Sequence, residues 1–157
     1  MTDIETRSGA FADKVLATGV RANRKRGGDL RVLLSPITVG ATSGFMGVGT
    51  LEPGEFVAEH YHPYSEEFFY LVEGELLVRI DGKPIRLNVD EALMVPIGAR
   101  HRIENPGDVP AKVVFHLSPL APRPELGHVD CEPLPGEGTL PAVGHGPAGA
   151  EADGAAR

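Results

Sequence analysis

The sequence predicts an all-β domain of antiparallel strands packed as a sandwich or barrel. Two observations carry that expectation. Between residues 31 and 118 the chain breaks into short apolar or alternating runs, the length and pattern of half-buried strands. Turn signals separate the runs at regular spacing, among them Pro53-Gly54, Gly74, Asp81-Gly82, Gly98 and Pro106-Gly107-Asp108. Composition adds a bound. A chain of 157 residues with 41% hydrophobic and 24% charged content is one domain with a core of ordinary size.

The elements follow in order. Residues 1–30 mix charge with a few apolar positions, Phe11, Val15, Leu16 and Val20, and read as an N-terminal arm with a short helix over 9–18. The opening "MTDIETRSGAFADKV" has acidic residues and lacks the apolar stretch of a signal peptide, and no run approaches the length of a membrane span. The expected location is cytoplasmic. The stretch "RANRKRGGDLR" gathers Arg21, Arg24, Lys25, Arg26 and Arg31. It reads as a solvated, mobile arm, or as a docking patch for an acidic partner or an anionic cofactor. The net charge of -7 argues against nucleic acid, whose readers usually carry a basic face. The strand candidates are "RVLLSPITVG", "SGFMGVGTL", "GEFVAEHYH", "EEFFYLVEG", "ELLVRIDG", "PIRLNVD", "EALMVPIG", "HRIEN" and "AKVVFHLSP", which place a barrel over 31–120. From 121 to 157 the chain is a proline- and glycine-rich tail without large apolar residues after Val143, predicted to be disordered past about residue 140. His128 and His145 in or near that tail read as solvated. Cys131 is the single cysteine, so no intrachain disulfide forms.

The densest cluster of metal-capable side chains is "EHYHPYSEEF", residues 59–68. Alternate residues of a strand share a face, so His60 and His62 project together and can converge on one metal. The same parity puts Phe56 and Ala58 on that face, as cavity wall, and Val57, Glu59 and Tyr61 on the other. "PYS" then turns the chain. In the returning strand Glu67, Phe69 and Leu71 share one face, and Glu66, Phe68, Tyr70 and Val72 share the opposite one. Glu67 has the company of an interior position, where a carboxylate needs a partner or a metal. Glu66 belongs to solvent or an interface. A lone His-X-His is as often structural as functional, and a third histidine in a matching context decides. "PIGARHRIEN" supplies Pro96, Gly98, His101 and Asn105.

Together the two stretches read G-x5-H-x-H-x4-E-x6-G, through Gly54, His60, His62, Glu67 and Gly74, and P-x-G-x-x-H-x-x-x-N. They resemble the two signature motifs of the cupin superfamily. The match departs at position 90, where the second motif usually opens with glycine and this chain has Asp90, a turn and not a ligand. The resemblance implies a double-stranded antiparallel β-barrel, or jelly roll. It also implies that His60, His62, Glu67 and His101 bind one divalent metal inside it. Zinc is the first choice, and Fe, Mn, Ni or Cu suit the same donors. His116 lies outside the motifs. A hairpin centred between Gly107 and Asp108 would set His101 opposite Val114 and His116 one diagonal step away. There it would be a further ligand, a general base or a donor behind a ligand. The alternative is a backbone-bonded histidine, or one turned outward by a register slip.

The wording over about residues 26–130 is similar to that of the single-domain cupins of bacterial aromatic polyketide pathways, including tetracenomycin and resistomycin cyclase-type and spore-pigment proteins. What this implies is aldol-type cyclisation of a poly-β-ketone, with Glu67 or His116 as the base and the basic arm meeting an acyl carrier protein. The remaining inward apolar positions suit an uncharged, aromatic small molecule. A metal-dependent dioxygenase on an aromatic substrate would use the same ligands, and a non-catalytic cupin that binds a small molecule would use the same fold. A homodimer is expected, with the apolar "RVLLSPITVG" packing across its interface.

Overall fold

The computed structural model describes residues 4–6 and 11–136. The strands are β1 (Ile4–Thr6), β2 (Ala12–Val15), β3 (Asp29–Leu34), β4 (Phe45–Leu51), β5 (Phe56–Tyr61), β6 (Glu66–Glu73), β7 (Glu75–Ile80), β8 (Lys83–Asn88), β9 (Ala92–Val95), β10 (His101–Glu104), β11 (Ala111–Ser118) and β12 (Val129–Asp130). One turn of α-helix, α1 (Pro36–Val39), lies between β3 and β4. β1 and β2 pair with each other. The rest form two antiparallel five-stranded sheets, in the orders β12-β5-β10-β7-β8 and β3-β4-β11-β6-β9. The predicted all-β fold is the observed one. Among the described residues, no helix is long and apolar enough to cross a membrane.

Side-chain alternation builds the core. Phe69 and Leu71 of β6 point inward at 4% and 0% exposure, while Phe68 and Tyr70 point outward at 39% and 44%. They join Val113, Phe115 and Leu117 of β11, Leu76 and Val78 of β7, and Ile103 of β10 in one apolar cluster between the sheets. Burying a large apolar side chain contributes about 1.5–3 kcal/mol. This cluster is apolar throughout. The Asp81-Gly82 signal is a two-residue hairpin: Ile80 pairs with Lys83, and Asp81 and Gly82 take φ 49° and 81°, the mirror-image turn that matches strand twist. Asp90 also sits at positive φ, 68°, as the glycine usual there would, and its carboxylate accepts the Tyr70 hydroxyl at 2.5 Å. Aspartate tolerates this region better than most side chains.

Four expectations are corrected. The run 31–40 is not one strand. Ser35 caps α1 through a reciprocal pair of bonds with Thr38, Pro36 opens the turn, and Gly40 closes it at positive φ. The helix expected over 9–18 is replaced, over its described residues, by β2 and a 3₁₀ turn at Ala17–Gly19. The hairpin expected across Gly107 does not form, because β10 and β11 join different sheets. Finally, the barrel does not end at 120. β12 pairs with β5, Val129 opposite Tyr61 and Asp130 opposite His60. The disorder expected past residue 140, and His145, lie outside the described residues.

The basic stretch is also docked. The Arg26 carbonyl accepts the Ala58 amide at 2.9 Å, and the Lys25 carbonyl accepts that of Gly136 at 3.0 Å. Gly27 allows the approach: a Cβ there would lie 1.8 Å from the Phe56 carbonyl oxygen, and its φ is 108°. Arg26 pairs with Asp130, and Arg24 and Arg31 both reach Asp29. These cations are therefore held by the protein's own carboxylates, which leaves less of a free patch for an acidic partner than the sequence suggested.

Candidate metal centre

β5 and β10 are neighbours, and His101 stands directly opposite His60. His62 follows β5 by one residue, and Glu67 comes from β6 in the facing sheet. Thus four side chains from three segments meet between the sheets. Their candidate donor atoms all lie within 4.8 Å of one another, and all four residues are buried. The imidazole centroids are 4.2 Å apart for His60 and His101, 4.9 Å for His60 and His62, and 5.3 Å for His62 and His101.

The hydrogen bonds fix which nitrogen faces the centre. A carbonyl oxygen only accepts, so a ring nitrogen bonded to one must carry the hydrogen. His60 Nδ1 donates to the Ala58 carbonyl at 2.7 Å, His62 Nδ1 to Gly127 at 2.8 Å, and His101 Nδ1 to Ala99 at 3.0 Å. In a neutral ring this leaves Nε2 bare. His101 Nε2 and His62 Nε2 lie 2.8 and 3.2 Å from the same oxygen of Glu67. Bare nitrogens and a carboxylate oxygen are all acceptors. Something positive must stand among them, either a proton or a cation. A buried carboxylate left uncompensated would cost several kcal/mol.

The ionisation balance agrees. Burial acts to raise the Glu67 carboxyl, but hydrogen bonds from His101 and His62 outweigh it and hold it well below the usual carboxylate range. Burial lowers His62, yet Glu67 more than offsets this and His62 is raised. His60 is pushed down to about 2 by burial first and by His101 and His128 next, so it remains neutral and able to donate a lone pair. Three imidazoles and one carboxylate fit a borderline cation such as zinc, Fe(II), Mn, Ni or Cu. Each imidazole already has the carbonyl partner that ligating histidines use to fix their orientation.

The parity assigned to β6 is the one observed. Glu67 is inside at 6% exposure, and Glu66 is half-buried on the outer face, beside Ser118. The parity assigned to β5 holds at Ala58, His60 and His62 but fails at Val57 and Phe56. His101 opposes His60 while Ile103 opposes Val57, so a bulge puts one extra residue in β5. The bulge turns Val57 into the core at 3% exposure. Phe56 is not cavity wall but lies under the Arg102 guanidinium, 3.9 Å from its ring centroid. His116 does not join the centre. It is opposite Met46 on β4 and outward-facing Phe68 on β6, and its ring lies 6.0 Å from that of Phe68. Asn105 is structural. Its amide nitrogen donates to the Leu51 and Val109 carbonyls at 2.8 Å each, and its oxygen accepts the Gly107 amide at 2.9 Å.

The sequence reading missed His128. It is half-buried, and its ring stacks on His60 with centroids 4.3 Å apart and planes 11° from parallel. Its Nε2 donates to Asp130 at 2.8 Å. Burial, then the charges of Arg26 and His62, lower it to about 4. The available signal was "GHVD", a His-X-Asp alternation after a glycine, the period that also marks His60 and His62.

A protein-family model described as "Cupin domain" matches residues 47–117. The chain is 57% identical, over 84% of its length and 89% of the relative's, to the tetracenomycin polyketide synthase protein TcmJ of Streptomyces glaucescens. It is 64% identical to the polyketide synthase CurC of Streptomyces cyaneus over 72% of this chain and 73% of that one. Among solved structures, oxalate decarboxylase of Lactobacillus farciminis in its formate complex superposes with a TM-score of 0.64 at 20% identity, over 74% of this chain and 35% of that one. That last likeness concerns the fold alone.

Proposed function

This chain belongs to the cupin family, and from that premise we propose that it is a metal-dependent polyketide cyclase, closing a ring by an aldol-type reaction on a poly-β-ketone. The observation that carries this reading is the buried convergence of His60, His62, Glu67 and His101, with every Nδ1 committed to a carbonyl and the Nε2 atoms of His62 and His101 set against a carboxylate. The names of TcmJ and CurC support the substrate class. A divalent cation, zinc first, would be held by these four residues and would supply a Lewis acid toward a substrate carbonyl. The chain's own residues do the rest. As ligands the three imidazoles would be neutral and Glu67 would bring one negative charge, so a divalent cation held there would keep a net positive charge. Glu67 is assigned to ligation and not to proton abstraction, because a carboxyl held so low is a weak base. His116, on the outer face, is given no part in catalysis.

The test is a reconstituted aromatic polyketide synthase supplied with the protein, with its metal-stripped form, or with neither. The expected result is one cyclised product with the protein and a mixture of spontaneous ring closures in both other cases, corrected by adding zinc to the stripped form. Oxygen uptake matching product would assign a dioxygenase instead. Tight product binding with an unchanged product profile would assign a non-catalytic carrier.

We also take the protein to be a homodimer. Phe68, Tyr70, Val72 and Met94 are each exposed at about two-fifths, on the outer face of neighbouring strands β6 and β9, with Phe68 directly opposite Met94. In the expected 31–40 stretch Leu34 and Ile37 are exposed as well, but the β6–β9 face lies on paired strands, and a second copy of the same face is the occupant that would cover it. Light scattering at micromolar concentration is expected to give twice the chain mass, falling to one chain mass for Phe68→Lys. A wild-type protein of one chain mass would overturn the assignment.

A further inference from the structure

We propose that the segment Gly127–Asp130, outside both motifs, is part of the metal centre, and that His128 is a positioning residue for it. The inference rests on reading His60, His62, Glu67 and His101 as the ligands. Contacts at Gly127, His128 and Asp130 carry it. The Gly127 carbonyl accepts from His62 Nδ1 at 2.8 Å, which leaves Nε2 of that ring to face the centre. The His128 ring lies flat on His60, and its edge relation to His62 has a centroid distance of 5.3 Å. Asp130 pairs with His60 across β12 and β5, while the neighbouring Cys131 amide donates to the Glu59 carbonyl at 2.8 Å.

The segment therefore touches both histidines of the first motif, by different means. His60 is held at Nδ1 by Ala58 and over its face by His128. An imidazole constrained at one atom and over one face has little rotational freedom left, and a ligand so fixed binds without first being ordered. His128 is in turn held by Asp130, whose same oxygen receives the Arg26 Nε at 3.2 Å. Its Nε2 is directed to Asp130 and not to the cluster, so its role is stacking and not ligation. Arg26 belongs to the arm that docks on the same strand. Two distant stretches of sequence thus brace one ligand-bearing strand.

The experiment uses Co(II) as the probe, with its dissociation constant and visible absorption spectrum measured for the full chain and for three variants. His128→Ala is expected to weaken cobalt binding roughly 10- to 100-fold, the usual cost of losing a group that orients a ligand, and to change the spectrum. His128→Phe keeps a flat ring over His60 and is expected to restore most of the affinity and the wild-type spectrum. Asp130→Asn, which keeps the size of the side chain but loosens its hold on His128, is expected to fall between. Circular dichroism of the metal-free proteins checks that each is folded. Should His128→Ala fail to fold, the other two variants still decide. A His128→Ala protein with wild-type affinity and spectrum overturns the proposal. So does a folded His128→Phe protein whose cobalt affinity is weakened roughly 10-fold or more, because the nitrogen and not the stack would then matter. A wild-type chain that takes up no cobalt overturns the ligand reading beneath it.

Discussion

Replacing His101 with alanine is expected to lower divalent-metal affinity by more than about 100-fold, beyond the roughly 10- to 100-fold that loss of a merely supporting contact costs. His101 is fully buried, and its Nε2 lies 2.8 Å from Glu67. Water has little access with which to replace the lost donor. His60→Ala and His62→Ala are expected to behave alike, since each removes one of only three imidazoles. All three variants should still fold, because the apolar cluster between the sheets is built without these residues. His101→Ala should nonetheless be the least stable, since it empties the most deeply buried of the three positions, and buried cavities cost stability. Metal content after dialysis against a metal buffer, together with thermal unfolding of the stripped proteins, checks both parts. Full metal content in any variant would remove that histidine from the ligand set.

The second large effect separates two adjacent carboxylates. Glu67→Gln preserves shape but removes the one carboxylate among the described residues of the cluster, and a loss of at least about 10-fold in metal affinity is expected from weaker attraction in an enclosed site. Glu66→Gln is expected to change affinity by less than a factor of about 2, since Glu66 lies on the outer face. In the metal-free protein the Glu67 carboxyl is depressed, so its contribution to stability is full above the unfolded carboxyl's pKa near ~4.3 and is lost as pH falls below that value toward the folded one. Glu67→Gln should accordingly flatten the acid side of the stability curve. A critical Glu66 beside a neutral Glu67 would mean that β6 functions one residue out of the observed register.

The alternation in "EEFFYLVEG" was enough to place Glu67 inside with Phe69 and Leu71, and Glu66 outside with Phe68 and Tyr70. Asp81-Gly82 was enough to place a hairpin, and the spacing of His60, His62 and His101 was enough to suggest a centre. Each of these follows from a local rule: the pleat repeats every two residues, and a tight turn needs positive φ. Three features escaped that reasoning. The bulge in β5 turns Val57 inward and Phe56 out beneath Arg102. The assignment of β10 and β11 to different sheets leaves His116 facing outward beside Phe68. The return of residues 127–130 to β5 lays His128 on His60 and sets Gly127 behind His62. Strand parity is decided within a strand, by sterics that every residue carries with it. Which strand pairs with which, and where one of them takes an extra residue, is decided by contacts between segments tens of residues apart, and so only by the folded chain.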